Sequence, residues 1–71
     1  MSTIASPVTG SVWKILVAIG AEVDAGQEVA IIESMKMEIP AEAETAGIVT
    51  EVLVAEGDPI EQGDPMIRLT A

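Results

Sequence analysis

The sequence predicts an all-β fold, a flattened barrel or sandwich of two small antiparallel sheets related by an internal pseudo-two-fold repeat. Three observations carry this expectation. Runs of β-branched residues alternate with glycines at Gly10, Gly20, Gly26, Gly47, Gly57 and Gly63, a pattern that suits short pleated strands and tight corners. No run has helical length together with a convincing cap at its start. The chain also repeats at an offset of 37 positions, which lays Gly10-Ser11-Val12-Trp13-Lys14-Ile15-Leu16-Val17-Ala18-Ile19-Gly20 over Gly47-Ile48-Val49-Thr50-Glu51-Val52-Leu53-Val54-Ala55-Glu56-Gly57. The same offset puts Val23 on Ile60, Gly26 on Gly63, Val29 on Met66 and Ile32 on Leu69. One copy, approximately 10–34, has too few strands to close a core; the second, 47–71, supplies the other face.

In chain order, residues 2–9 form a short extended piece ended by Pro7 and Gly10, since proline cannot donate to a ladder. Ser11 to Ile19 is the first long strand. Gly20 to Gly26 is a turn region with Val23 tucked inward, and it lacks the Gly-Lys-Ser/Thr ending of a phosphate loop. Gln27 to Ser34 is the next strand. A reversal at Met35-Lys36 then lets Ala30 to Ser34 pair antiparallel with Met37 to Ala41. Neither turn residue is Gly, Asn or Asp, so the repeat demands this hairpin and the local chemistry does not. In the second copy Pro59 and Pro65 mark turns or strand starts. The core candidates are Val12, Ile15, Val17, Val23, Ile32, Val49, Val52, Val54, Ile60, Ile67 and Leu69. In Ile15-Leu16-Val17 and Val52-Leu53-Val54, three consecutive apolar positions leave open which residue faces inward.

Composition bounds the chemistry. The 71 residues make one domain, 49% apolar but with one Trp and no Phe or Tyr, so its core is aliphatic. With no Cys and no His, disulfides, the usual zinc sites and any His general base are excluded. Twelve acids against three bases give a net charge of −9, which repels nucleic acid and anionic membrane surfaces. Most of these acids form a solvated surface that also deters edge pairing. The N-terminus carries no basic segment ahead of an apolar run, and no stretch approaches the 18 apolar residues of a membrane span, so a cytoplasmic location is expected.

The three bases are Lys14, Lys36 and Arg68. Only Lys36 stands between two thioethers, Met35 and Met37, flanked by Glu33 and Glu38, at the joint between the copies. An isolated surface lysine is ordinarily a solvated charge, and methionines in a strand ordinarily fill core gaps. Beside an exposed tip they instead form a soft recognition surface.

The segment Ile32-Glu33-Ser34-Met35-Lys36-Met37 resembles the biotin-attachment motif of biotin carboxyl carrier domains, usually written Glu-Ala-Met-Lys-Met. The glycine-bounded runs and the two-copy layout resemble the biotinyl/lipoyl attachment domain over nearly the whole chain. Ser34 replaces the usual Ala, a small-for-small change. The Ala/Pro-rich linker, fused catalytic domains and extra inserted hairpin of some relatives are missing, as in a free-standing carrier. The resemblance implies a covalent biotin on Lys36, attached by a biotin protein ligase through an acyl-adenylate. It further implies a non-catalytic carrier whose biotin takes a carboxyl group from a biotin carboxylase to a carboxyltransferase. A lipoyl carrier on the same fold is the nearest alternative, although its sites typically put Asp before the lysine and Ala or Val after it. An unmodified acidic binding module is the third reading. A Schiff-base enzyme is least supported, because no partner group exists to activate Lys36.

Overall fold

The computed structural model describes residues 2–70, which fold into eight strands with no helix among them. They are β1 (Ser2–Ala5), β2 (Gly10–Ile15), β3 (Glu22–Val23), β4 (Glu28–Ser34), β5 (Met37–Glu42), β6 (Gly47–Val52), β7 (Pro59–Ile60) and β8 (Pro65–Thr70). Two four-stranded antiparallel sheets result, in the orders β1-β8-β6-β3 and β5-β4-β2-β7. The first, which holds both ends of the described chain, is called the terminal sheet below; the second, which ends in the β4–β5 hairpin, is the tip sheet.

The 37-residue offset carries one sheet onto the other strand by strand. β2 falls on β6, β3 on β7 and β4 on β8, while Ser2–Ala5 of β1 matches Ile39–Glu42 of β5. The correspondence therefore extends beyond 10–34 and 47–71. It includes the irregularities: the ladder skips Trp13 between Val12↔Ile32 and Lys14↔Ile31, and it skips Thr50 between Val49↔Leu69 and Glu51↔Arg68. Each such bulge lets two neighbouring residues face the same way. Trp13 and Lys14 both point outward, as do Thr50 and Glu51. The bulges at Val29 and Met66 act in the opposite sense, since Val29-Ala30 and Met66-Ile67 are all buried.

The core is aliphatic, with Ile32, Met66, Ile67, Leu69, Val12, Val29 and Val49 its largest fully buried side chains. Each contributes roughly 1.5–3 kcal/mol. Ile15, Val17, Val52 and Val54 pack at its margin, while Leu16 and Leu53 face solvent, which settles the direction of both three-residue runs. Ile4, Val29, Ala30, Ala41, Ala43 and Met66 complete the core, and strict alternation does not find Val29 or Met66 because the bulges break it.

One expected strand is shorter than its sequence. β2 ends at Ile15 and not at Ile19, because the chain there leaves the tip sheet for the terminal sheet. Ala21 N–H donates to the Ala18 carbonyl at 3.0 Å, and Gly20, at φ 92°, turns its N–H to the Val49 carbonyl at 2.8 Å. β3 then pairs with β6 of the second copy. The matching exit, through Gly57 at φ 95°, gives a 2.7 Å bond to the Val12 carbonyl and sends β7 onto β2 of the first copy. Each copy thus lends a two-residue strand to the other's sheet, with Val23 and Ile60 as the buried side chains.

Replacing Val23 or Ile60 by Asp places an unpaired carboxylate in this core at a cost of several kcal/mol. Either variant is expected to lose its cooperative thermal transition in circular dichroism; a cooperatively folded Val23→Asp protein contradicts the assignment.

Candidate functional site

Lys36 occupies the far end of the β4–β5 hairpin. The ladder runs without interruption from Ala30↔Ala41 through Ile31↔Pro40, Ile32↔Ile39 and Glu33↔Glu38 to Ser34↔Met37. Only Met35 and Lys36 remain to reverse the chain. Their φ angles are 53° and 64°, and positive φ at both central residues is the signature of a type I′ turn, whose twist matches that of the flanking strands. Asn and Gly are the usual occupants. A residue with a Cβ pays about 1–2 kcal/mol to enter this region, so the turn is imposed by the ladder and its anchors.

Two anchors are visible. The Ser34 hydroxyl donates to the Thr9 carbonyl at 2.8 Å, and the Thr9 hydroxyl accepts the Gln62 N–H at 3.0 Å. The base of the hairpin is thereby tied to the loop before β2 and to a turn of the second copy. Beside it, a Cβ on Gly10 would overlap the Glu33 carbonyl oxygen, so only glycine lets β2 lie this close to β4. Ser34 therefore does more than keep a position small, a role that size alone in the motif did not reveal.

The side chains of the tip are open to solvent. Met35 is 92% exposed and Met37 64%, so neither thioether fills the core. Lys36 is exposed and has no ion-pair partner among the described residues, where the one salt bridge joins Arg68 to Glu51 at 3.0 Å in the terminal sheet. Register sets Glu33 directly across from Glu38 on the outer face. Like charges opposite one another are mildly destabilising, and here they surround the only cation of the tip with negative field. The tip thus combines a free primary amine, two polarizable apolar side chains and two carboxylates on a stiff two-stranded stalk. Among the described residues no group of three His, Cys, Asp or Glu is placed to hold a metal.

An open groove of about 690 Å³ lies elsewhere, between the edges of β1 and β5, and is lined by residues 2–7, 40–45 and Leu69. Among the described residues its titratable groups are Glu42 and Glu44, and its hydroxyls, those of Ser2, Thr3, Ser6 and Thr45, have no amine or imidazole beside them. The amine at the tip is the one chemically distinctive feature brought together by the fold.

A family model described as biotin-requiring enzyme, covering biotin and lipoyl attachment, matches residues 1–69. The chain belongs to the biotin/lipoyl attachment family. Within that family it is 47% identical to the biotin/lipoyl attachment protein of Bacillus subtilis, over 96% of this chain and 93% of that protein. It is 34% identical to the biotin carboxyl carrier protein of acetyl-CoA carboxylase from Nostoc, over 97% of this chain but only 42% of the relative. Among solved structures, the urea carboxylase of Kluyveromyces lactis contains a region that superposes with a TM-score of 0.91 at 38% identity, covering 97% of this chain and 6% of that one. The family's attachment domain is thus found both in proteins of nearly this size and as a small part of much larger chains.

Because the turn conformation is imposed on Met35, exchanging it for a residue that tolerates positive φ should stabilise the domain. Met35→Asn is expected to raise the thermal midpoint by about 4–8 °C, equivalent to roughly 1 kcal/mol in a domain of this size. An unchanged or lower midpoint contradicts an imposed turn.

Proposed function

We propose that the domain formed by residues 1–71 is a covalent biotin carrier and that Lys36 is its attachment residue. The observation that carries this is the position of Lys36, an unpaired exposed lysine held at the apex of a two-residue turn between Met35 and Met37. The apex suits amide formation, since an incoming enzyme meets the amine before any other part of the chain. The biotin protein ligase supplies the activated acyl-adenylate: the amine nitrogen bonds to the biotin carbonyl, AMP leaves, and the amine's proton passes to the enzyme or solvent. A cytoplasmic location is part of the same proposal.

Attachment removes one positive charge and takes the formal net charge from −9 to −10. Once attached, biotin supplies a ureido nitrogen that accepts a carboxyl group at one enzyme site and surrenders it at another. The chain's own contribution is mechanical: a stiff stalk, exposed flanking methionines and a tether that raises local concentration to the millimolar range at each site. Its partners in this reading are the ligase, a biotin carboxylase and a carboxyltransferase, and the protein itself catalyses no step. Lipoylation of the same lysine is the weaker reading, because Met stands on both sides of Lys36.

Co-production with an active biotin ligase is expected to give one biotin-sized mass addition that disappears in Lys36→Arg, measured on the intact protein. A label that persists in Lys36→Arg, or a lipoyl mass in the native host, would overturn the proposal.

A further inference from the structure

The internal repeat provides a comparison inside one chain. Both sheets meet the same demands of folding, so positions where their outer faces differ report something other than folding. In the middle of the terminal sheet the outward residues are Thr50, Glu51, Arg68 and Thr3; Arg68 pairs with Glu51, and the Thr50 hydroxyl donates to the Arg68 carbonyl at 3.3 Å. Their counterparts in the tip sheet are Trp13, Lys14, Ile31 and Pro40. Register sets Lys14, Ile31 and Pro40 in one row across β2, β4 and β5. Beside this row the bulge turns the indole of Trp13 outward, 41% exposed, with Lys14 Nζ 5.6 Å from its ring centroid. A polar, self-paired surface on one sheet is replaced on the other by an apolar and aromatic one that carries a single lysine. Three strand positions run the opposite way, Ile48 against Ser11, Ala5 against Glu42 and Pro65 against Glu28; of these Ile48 is the one large apolar side chain exposed on the terminal sheet.

We infer that the outer face of the tip sheet, centred on Trp13 and Ile31, is the docking surface for the enzyme that acylates Lys36. The inference rests on Lys36 being the attachment residue. An enzyme that transfers an acyl group must hold the amine at bonding distance, which requires docking in fixed register on the protein around it. A standard interface covers roughly 800 Å² of each partner, a disc about 32 Å across, far more than a two-residue tip provides. The inner face of the hairpin is taken by the core, so the remaining contact falls on the outer face. Ile31 lies there about 10 Å back from Ser34 along the strand, within such a footprint. Charge agrees: Glu33 and Glu38 stand between this row and the tip, and an enzyme that grips an adenylate phosphate is cationic at that place. Trp13 is the kind of rigid aromatic anchor that dominates interface energetics.

The test uses the residues that the terminal sheet already carries at these positions. The triple variant Trp13→Thr, Ile31→Arg, Pro40→Thr is expected to raise KM for biotin transfer by a biotin protein ligase at least tenfold, with kcat within threefold, while Ile48→Ser on the opposite sheet stays within twofold. A folded triple variant with unchanged kcat/KM overturns the docking surface. If the triple variant fails to fold, the ¹⁵N-labelled Lys36→Arg protein titrated with ligase decides: the single indole N–H signal, that of Trp13, should shift or broaden while the Arg68 side-chain signal does not, and an unmoved indole overturns the proposal. Wild-type protein that takes no biotin on Lys36 refutes the attachment reading itself; wild-type labelled there, with an unaffected triple variant, refutes the docking surface alone.

Discussion

The structure depends on an exchange. Neither half of the chain completes its own sheet: β3 leaves the first copy to pair with β6, and β7 leaves the second to pair with β2. Val23 and Ile60 enter the shared core on those short strands, and the bonds from Gly20 to Val49 and from Gly57 to Val12 fasten the crossings. Because the lending is mutual, the halves cannot separate without undoing both sheets. In a chain this small, which buries only about 60% of its unfolded surface, such mutual closure spreads a modest aliphatic core over one cooperative unit. The hairpin benefits directly, since β4 is held between β5 and β2, and β2 is in turn clasped by β7.

That rigidity is put to use at the tip. Two residues with ordinary side chains sit in a backbone conformation usually left to Asn and Gly, and the ladder behind them keeps them there. Strain of this kind persists where the surroundings over-determine the geometry. Its effect is to aim one lysine outward from a fixed frame, with a carboxylate pair on one face of the stalk and thioethers on either side in the chain.

Much of this was legible in the sequence, for identifiable reasons. Matching glycines and apolar positions at a 37-residue offset announced two similar halves, and the seam between them located Lys36. The hairpin followed from the same repeat even though Met35-Lys36 contains no turn-forming residue. What escaped was set by features without a local signature. The bulges at Val29 and Met66 turn adjacent side chains inward, which strict alternation forbids. The early end of β2 reflects a crossing between sheets, and Leu16 to Ile19 look as strand-like as the residues before them. The bond from Ser34 to Thr9 joins residues that only the folded chain brings together.

The pairing of Ser2 with Leu69, and the 3.3 Å contact of the Ser2 hydroxyl with that of Thr45, place both ends of the described chain where β5 ends, away from the hairpin apex. By the symmetry of the halves, the first and last strands occupy the place that the hairpin holds at the other pole. A carrier built this way is a spacer as well as a platform. A partner holding the chain by its ends would hold it at one pole of a body 33 Å in its longest dimension, with the Met35-Lys36 turn at the other. A segment joined at either end would extend the reach of the turn without disturbing the register that aims it.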